Sequence, residues 1–122
     1  MQSSHLALGA EGEARAARHL TARGWRILAR NARCDGVEID LIASRAGVLA
    51  FVEVKTRRTR SAGMPEEAID ARKRARLVRG AAAWLRDHRT RARVVRFDVL
   101  VVEPGAEGWL CRHLPGAFDA GD

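Results

Sequence analysis

The sequence predicts a mixed α/β fold, with a central mixed sheet of about five strands flanked by helices in the order αβββαββ. Apolar residues recur at helical spacing over residues 5–23 and over residues 65–88, which indicates two helices. The remaining apolar runs are short, rich in β-branched residues and bounded by polar breaks. They predict strands at residues 25–30, 38–43, 49–55, 94–102 and 109–114, with a turn-rich link over residues 31–37.

Length and composition fit a single globular domain. The chain has 122 residues, of which 47% are hydrophobic and 30% charged, so one domain is expected over residues 1–122, with loose tails at 1–4 and 115–122. No apolar run approaches the roughly 20 residues that cross a membrane, and the first residues lack the pattern of a signal peptide. Cys34 and Cys111 are therefore expected to be free thiols in a reducing cytosol, and the protein cytoplasmic.

The first helix carries an acidic residue on its apolar face. Glu13 lies three residues after Ala10 and four before Ala17, so it shares the stripe formed by Leu6, Ala10, Ala17 and Leu20. A carboxylate there is costly unless it is paired, hydrated or bound to a metal. Periodicity leaves two interpretations open: an acid that points into a functional site, or a structural acid that pairs with an arginine such as Arg26 or lies at a wet edge.

The second helix is predicted to begin at Pro65, because proline is favoured at the first helical position and Glu66 and Glu67 then fall in the first turn. It is expected to run to about His88. The apolar spacing predicts a buried stripe formed by Ala71, Ala75, Val78, Ala82 and Leu85.

The two strands before this helix carry charges inside apolar runs. If Ala46 and Gly47 form a two-residue hairpin loop, the opposed pairs are Arg45–Val48, Ile42–Phe51, Asp40–Glu53 and Glu38–Lys55. Strict alternation also places Glu38, Asp40 and Ile42 on one face. Directly opposed side chains lie roughly 5 Å apart, and like charges there destabilise the sheet. In this register, Asp40 and Glu53 need a functional reason to face each other.

A divalent metal between the two carboxylates supplies that reason. An acid, 12 residues and then Glu-x-Lys on adjoining strands is the arrangement of a metal-dependent phosphodiesterase. Asp40 and Glu53, with the Val54 carbonyl, would hold Mg²⁺ or Mn²⁺, because hard oxygen ligands favour these ions over Zn²⁺. Lys55 would orient or deprotonate the attacking water, or neutralise charge on the phosphorane.

Positive charge is concentrated directly after these strands. Residues 57–96 contain 12 Arg and one Lys against four acidic residues, a net charge of +9, whereas the whole chain carries +7. A basic segment beside a carboxylate cluster indicates a polyanionic partner, most often nucleic acid. The alternative is an ordinary solvated helix face. The residues predicted to bind nucleic acid are Arg57, Arg58, Arg60, Arg72, Lys73 and Arg76.

The strand over residues 94–102 is strongly apolar and is expected to be central, whereas the last strand is expected at an edge. Arg96 and Asp98 share one face of the apolar strand. We interpret them as a structural pair and not as catalytic residues.

Five segments, which cover most of the chain in order, match a known family: GAEGEARAARHL at 9–20, Asn31 with EIDLIA at 38–43, FVEVKTR at 51–57, GMPEEAIDARK at 63–73 and RFDVLVV at 96–102. On these segments the chain is identified as a member of the YraN-like family of small bacterial proteins. That family resembles the restriction-endonuclease-like nucleases, the PD-(D/E)xK superfamily, and in particular archaeal Holliday junction resolvases. The resemblance implies a restriction-endonuclease-like form of the αβββαββ fold.

The resemblance also implies residue roles. Glu13 would be the helix acid, Asp40 the second motif, and Glu53 and Lys55 the third, so that these four form the catalytic set and the three acids the metal site. It favours the functional interpretation of Glu13 and implies that Lys73 lies near the site. Because junction resolvases act as dimers, a homodimer is an expectation by analogy.

One residue departs from the family pattern. Val37 stands where the family usually has glycine before Glu-Ile-Asp, so the turn leading into that strand is expected to differ while the acids stay intact. Membership does not by itself fix activity, since related domains can keep a fold and lose cleavage.

Three functions are compatible with the sequence. The first is a metal-dependent endonuclease that hydrolyses DNA phosphodiesters, on branched or structured DNA. The second is a nucleic-acid-binding module or accessory subunit that does not cleave. The third is a scaffold in which the acids and arginines form internal ion pairs. The presence of all three costly acids together with Lys55 favours the first.

Overall fold

The computed structural model describes residues 3–58 and 69–119, with side chains from residue 8 onward. Its elements are α1 Ser3–Ala22, β1 Arg26–Cys34, β2 Val37–Arg45, β3 Val48–Thr56, α2 Ala71–Asp87, β4 Val94–Gly105 and β5 Gly108–Phe118. The predicted order αβββαββ and the mixed α/β class are confirmed. Within the described ranges, neither helix has the combination of length and apolar composition that a membrane span requires.

The five strands form one sheet in the order β1-β2-β3-β4-β5. Neighbouring strands are antiparallel except β3 and β4, which are parallel. Parallel neighbours need a crossover connection, and the segment that contains α2 provides it. As predicted, β4 lies inside the sheet and β5 at its edge.

The core has two parts, one on each side of the sheet. The α1 side buries residues such as Leu20, Trp25, Leu41, Val52 and Leu100. The α2 side buries residues such as Ile39, Phe51, Leu77, Trp84 and Phe97. Alternate side chains of β3 and β4 enter opposite layers, which explains why these strands are apolar almost throughout.

The hairpin between β2 and β3 follows the predicted register near its turn. Ala46 and Gly47 have φ values of 49° and 82°, as a two-residue hairpin turn of type I′ requires. Pairing runs from Arg45–Val48 through Ile42–Phe51 to Leu41–Val52. The ladder between these described strands ends at that last pair, so the predicted Asp40–Glu53 and Glu38–Lys55 pairs, which lie farther from the turn, do not form.

The reason is an interruption in the side-chain alternation of β2. Ile39 packs on the α2 side, Leu41 on the α1 side and Ile42 again on the α2 side. Strict alternation would have placed Ile39 and Leu41 on the same face. The strict alternation on which the predicted shared face of Glu38, Asp40 and Ile42 rested therefore does not hold through Asp40.

Helix α1 begins earlier than predicted and buries a somewhat different stripe. It starts at Ser3, so the predicted tail over residues 1–4 is wrong for its last two residues. Ala10 is exposed, whereas Gly12 is buried and Ala16 fully so. A Cβ atom at Gly12 would overlap the Thr56 side chain of β3. The absence of a side chain at Gly12 thus allows α1 to lie directly against the end of β3.

Helix α2 begins at Ala71, after an extended Asp70 whose Oδ1 accepts a hydrogen bond from the Lys73 backbone N–H at 2.9 Å. The predicted start at Pro65, like Glu66 and Glu67, lies outside the described residues. The predicted stripe is right for Val78 and Leu85, which are half-buried and pack against the core, and wrong for Ala71, Ala75 and Ala82, which are exposed. The buried face instead consists of Leu77, Gly80, Ala81, Ala83 and Trp84.

Packing explains this rotation of α2. A Cβ atom at Gly80 would lie only 3.0 Å from Val37 Cβ, so the helix approaches β2 most closely at its glycine. Leu77 and Trp84, on the same face, offer far more apolar area than alanines. The apolar area that its side chains bury therefore determines the orientation of α2, and the spacing of its alanines does not.

Two irregular segments predicted from the sequence belong to strands. Residues 31–34 of the predicted link lie in β1, and only Asp35-Gly36 forms the turn before β2. At the other end, β5 continues to Phe118, so the predicted tail is wrong over residues 115–118. Phe118 is buried and stacks on Phe97, with ring centroids 4.9 Å apart, which anchors this extension. Cys34 and Cys111 are free, as predicted.

The contact between α1 and β3 makes a stability prediction. Gly12→Ala is expected to lower the free energy of unfolding by about 1–3 kcal/mol, because the added methyl group must displace Thr56 or the helix. Gly9→Ala is the matched control in the same helix, since nothing lies within 4 Å of its Cβ position. It is expected to raise stability by up to about 1 kcal/mol through helix propensity. Urea unfolding that shifts equally in both variants would contradict this packing.

Candidate active site

Glu53 is the buried acid of the site. It lies on the α2 side of β3, and 6% of its surface is exposed. Its Oε2 lies 2.5 Å from the Nζ atom of Lys73, a residue in the first turn of α2. A buried carboxylate is strongly unfavourable without a partner, so the capped start of α2 serves to bring a cation onto Glu53. Lys73 therefore lies near the predicted site residues, as the resemblance implied.

Asp40 lies where β2 leaves β3. Its Oδ2 accepts a hydrogen bond from the Val54 backbone N–H at 2.8 Å, in place of a continued ladder. Burial and, next, the charge of Glu53 raise the pKa of Asp40 to about 7, against the opposing effects of the Val54 hydrogen bond and Lys73. The two predicted acids are thus close enough for the charge of Glu53 to oppose the ionisation of Asp40, although they are not a ladder pair.

Glu13 joins these acids from α1. It is half-buried, and its charge also raises the pKa of Asp40. The Gly12 contact with Thr56 places this part of α1 against the end of β3. Among the described residues no ion pair of Glu13 with Arg26 is found, and the effect of its charge on Asp40 is compatible with the functional interpretation and with an acid at a wet edge alike.

A cleft of about 220 Å³ opens beside the acids. It is lined by Val37, Glu38, Asp40, Glu53, Lys73, Arg76 and Leu77. Val37, the departure from the family pattern, forms part of its wall and packs against Gly80. Lys55 is half-buried two residues beyond Glu53, and neither it nor Glu13 lines the cleft.

The donor set fits a hard divalent cation. In residues 3–58 and 69–119, no three His, Cys, Asp or Glu side chains are close enough together to hold a metal ion. Mg²⁺ is commonly bound through one or two carboxylates, with waters and substrate phosphate completing its shell. Asp40 and Glu53 supply two such carboxylates with oxygen donors alone, and Glu13 does not complete a three-acid cluster with them.

The predicted nucleic-acid-binding residues are spread around this end of the sheet. Arg76 lines the cleft, and Arg72 is exposed on the same helix. Arg57 and Arg58 follow β3 directly, with the Arg57 backbone N–H bonded to the Val102 carbonyl at 2.8 Å. Arg60 lies outside the described residues.

Sequence reasoning missed the contribution of Asn31 to this region. The pairs Arg30–Leu41 and Ala32–Ile39 set Asn31 beside Asp40 across β1 and β2. Its φ of 51° is a left-handed conformation that asparagine tolerates better than most residues. An asparagine inside a predicted link was the available signal; it was included in the segments that match the family, but no position beside Asp40 was inferred for it.

Arg96 and Asp98 form a separate, buried network. Asp98 is fully buried and accepts hydrogen bonds from Arg96 Nε at 2.8 Å and the Gly116 backbone N–H at 2.9 Å, while His113 Nε2 lies 2.7 Å from Oδ2. Burial alone would raise the pKa of Asp98, but the hydrogen bonds to His113, Arg96 and Gly116 lower it overall. These contacts tie β5 to β4 and support the structural interpretation of the pair.

The raised pKa of Asp40 predicts that removal of this carboxyl group stabilises the folded protein, by an amount that depends on pH. Between the unfolded value of 3.8 and about 7, the folded protein holds the extra proton, so stability falls as pH rises through this window. Asp40→Asn keeps an oxygen acceptor for Val54 and lacks this loss. In metal-free buffer it is expected to be more stable than the wild type by up to a few kcal/mol near pH 8, with the gain vanishing near pH 4.

The matched control is Glu38→Gln, which removes an exposed carboxylate from the same strand. It is expected to leave the pH profile of thermal unfolding close to that of the wild type. If the stability of Asp40→Asn changed with pH in parallel with that of the wild type across this range, the pKa of Asp40 would not be raised in the folded protein.

Comparison with known proteins identifies the family of the chain. Residues 12–102 match the family described as "Uncharacterised protein family UPF0102". A UPF0102 protein of Symbiobacterium thermophilum is 52% identical, over 93% of this chain and 97% of its own length. UPF0102 proteins of Trichlorobacter lovleyi and Myxococcus xanthus are 44% and 42% identical, each over 93% of this chain and over 91% and 90% of their own lengths. The chain therefore belongs to the UPF0102, or YraN-like, family of bacterial proteins.

Proposed function

We propose that this protein is a metal-dependent endonuclease that hydrolyses DNA phosphodiesters, with branched or structured DNA as its substrate. The observation that carries the proposal is the meeting of Asp40 and Glu53 where β2 and β3 separate, in a cleft that also contains Lys73 and Arg76. A carboxyl group whose pKa is raised by burial and by a neighbouring carboxylate, as that of Asp40 is, is costly in a folded protein and typical of functional sites.

In this proposal Asp40 and Glu53, with the Val54 carbonyl, hold Mg²⁺ or Mn²⁺, and Glu13 adds negative charge beside Asp40. A bound ion of this kind supplies Lewis acidity at the scissile phosphate and favours deprotonation of water. Lys73 neutralises Glu53 in the protein without metal, so the buried acid is tolerated before the ion arrives.

Lys55 is the proposed catalytic cation. It is half-buried and follows Glu53 on the same side of β3, near the end of that strand. In this proposal the scissile phosphate would lie at that end. Its ammonium group would orient or deprotonate the attacking water, or neutralise charge as the phosphorane forms. Arg57, Arg58 and Arg60 after β3, with Arg72 and Arg76 on α2, would hold the backbone on either side, and such contacts weaken with salt.

One observation favours a second candidate, a nucleic-acid-binding module that does not cleave. The ion pair with Lys73 satisfies Glu53 without any metal, and the described residues contain no complete three-ligand cluster. The same arginines would then serve binding alone. Cleavage assays separate the two candidates.

The test is a cleavage assay on labelled duplex, single-stranded, flap and four-way-junction DNA with Mg²⁺ or Mn²⁺. Lys55→Ala is expected to reduce the cleavage rate about 100-fold or more, because a charge-stabilising group at the reacting phosphate is lost. Arg18→Ala is the matched control: it removes an exposed cation of α1 and is expected to leave the rate unchanged.

The outcomes point in different directions. Metal-dependent cleavage that Lys55→Ala abolishes would support the nuclease, and the preferred DNA would identify its substrate. Binding without cleavage across the panel would support the accessory module. The absence of both binding and cleavage would leave the scaffold interpretation, in which the charges are internal ion pairs.

A further inference from the structure

The fold divides the basic segment that follows β3 between two ends of the sheet. Helix α2 carries the chain from the end of β3 back to the start of its parallel neighbour β4. Its 17 residues span about 25 Å. Lys73 and Arg76, early in the helix, line the cleft, whereas Arg89 and Arg91 follow its last residue and lie at the end where β2 turns into β3. The arginines after α2 therefore belong to a surface separate from the cleft.

A groove of about 480 Å³ lies at this second end of the sheet. Its walls come from β1, from the hairpin turn between β2 and β3, and from the loop between α2 and β4. Four arginines line it: Arg26 from β1, Arg45 from β2, and Arg89 and Arg91 from the loop. None of the described residues that line it is acidic. The groove thus gathers like charges from three separate parts of the chain.

These four arginines are not neutralised by acids of the described chain. All four are exposed. Within residues 3–58 and 69–119, no ion pair joins any of them to a carboxylate. Charges of one sign along a concave surface attract oppositely charged partners. A guanidinium group also offers paired N–H donors that match the oxygens of a phosphate, so the groove suits a ligand with several phosphates.

The backbone around the groove is held in place. Arg93 and Val94 both donate their backbone N–H groups to the Gly47 carbonyl, at 2.7 and 3.2 Å. Val94 then begins the parallel ladder of β4 with β3. The loop between α2 and β4 is thereby fixed to the hairpin turn, and the two walls of the groove keep their separation.

Arg45 is oriented by uncharged groups. Its Nη1 donates a hydrogen bond to the Arg23 carbonyl at 2.8 Å, and its guanidinium carbon lies 5.0 Å from the centre of the Trp25 ring. Neither the carbonyl nor the indole carries a negative charge. Arg45 therefore retains its positive charge at the groove in a defined position.

The lining of the groove favours the backbone of duplex DNA over other polyanions. Single strands are typically held by bases that stack on aromatic side chains, and none of the described lining residues is aromatic. A membrane surface is bound by basic residues that flank an apolar face lying in the lipid, whereas the charges here line a concave groove. Arginine contacts to phosphates position a duplex without reading its sequence.

We propose that this groove binds the phosphate backbone of duplex DNA without reading its bases. The sheet contributes Arg26 and Arg45, and the loop after α2 contributes Arg89 and Arg91. The inference goes beyond the proposed function, which requires only the cleft, and it applies to a nuclease and to a non-cleaving module alike.

Binding of a short labelled duplex, followed by anisotropy in buffer with EDTA over a series of NaCl concentrations, tests the proposal. Arg91→Glu is expected to weaken binding about tenfold and to reduce the slope of log affinity against log salt by about one, because a phosphate contact is lost. Arg26→Glu, which changes the groove from the sheet side, is expected to do the same. Circular dichroism checks that both variants fold.

Arg18→Glu is the matched control. It changes the net charge by the same amount at an exposed position of α1, away from the groove. It is expected to bind the duplex almost as well as the wild type. A loss equal to that of Arg91→Glu would show that net charge alone sets the affinity, and would overturn the proposal.

Unchanged duplex affinity in both groove variants would also overturn it. So would a loss confined to single strands, or a loss confined to phosphatidylserine vesicles, since the groove would then serve another partner. The proposed nuclease fails separately. Groove-dependent binding without cleavage in Mg²⁺ or Mn²⁺ would contradict the nuclease alone, whereas cleavage with unchanged duplex affinity in both groove variants would contradict this inference alone.

Discussion

The site depends on where the pairing of β2 with β3 ends. The type I′ turn at Ala46-Gly47 fixes the register, and the ladder stops at Leu41–Val52. Beyond that point the Val54 N–H, which a continued ladder would satisfy with a backbone carbonyl, is satisfied by the Asp40 carboxylate. The Asp40 side chain thus satisfies a backbone donor that would otherwise lack a partner, and the same hydrogen bond holds an acid between the strands.

The two helices then complete the site from opposite sides of the sheet, and each depends on a glycine. Gly12 allows α1 to touch Thr56, which brings Glu13 towards Asp40. Gly80 allows α2 to lie close to Val37, in the helix whose first turn places Lys73 on Glu53. Charge is therefore gathered at one end of the sheet by close packing, while the apolar layers lie on both of its faces.

Periodicity predicted the order of elements and the hairpin register near its turn, because both follow from apolar spacing and a two-residue turn. It failed where facing depends on tertiary contacts. The alanines of α2 match a stripe in the sequence, but Leu77 and Trp84 bury more area and turn the helix away from it. The change of facing at Asp40 also left no periodic signal, and the extension of β5 to Phe118 rests on stacking against Phe97. Lys73 was placed by resemblance to a family alone.

We propose that Asp40 and Glu53 together form one divalent-cation site. Calorimetric titration of Mn²⁺ into the wild type, Asp40→Asn and Glu53→Gln tests this site most directly, with Glu38→Gln as the exposed-acid control. A shared site would bind one ion per chain in the wild type and the control, with affinity at least about tenfold weaker in each of the other two variants. Equal binding in all four proteins, or none in the wild type, would contradict it.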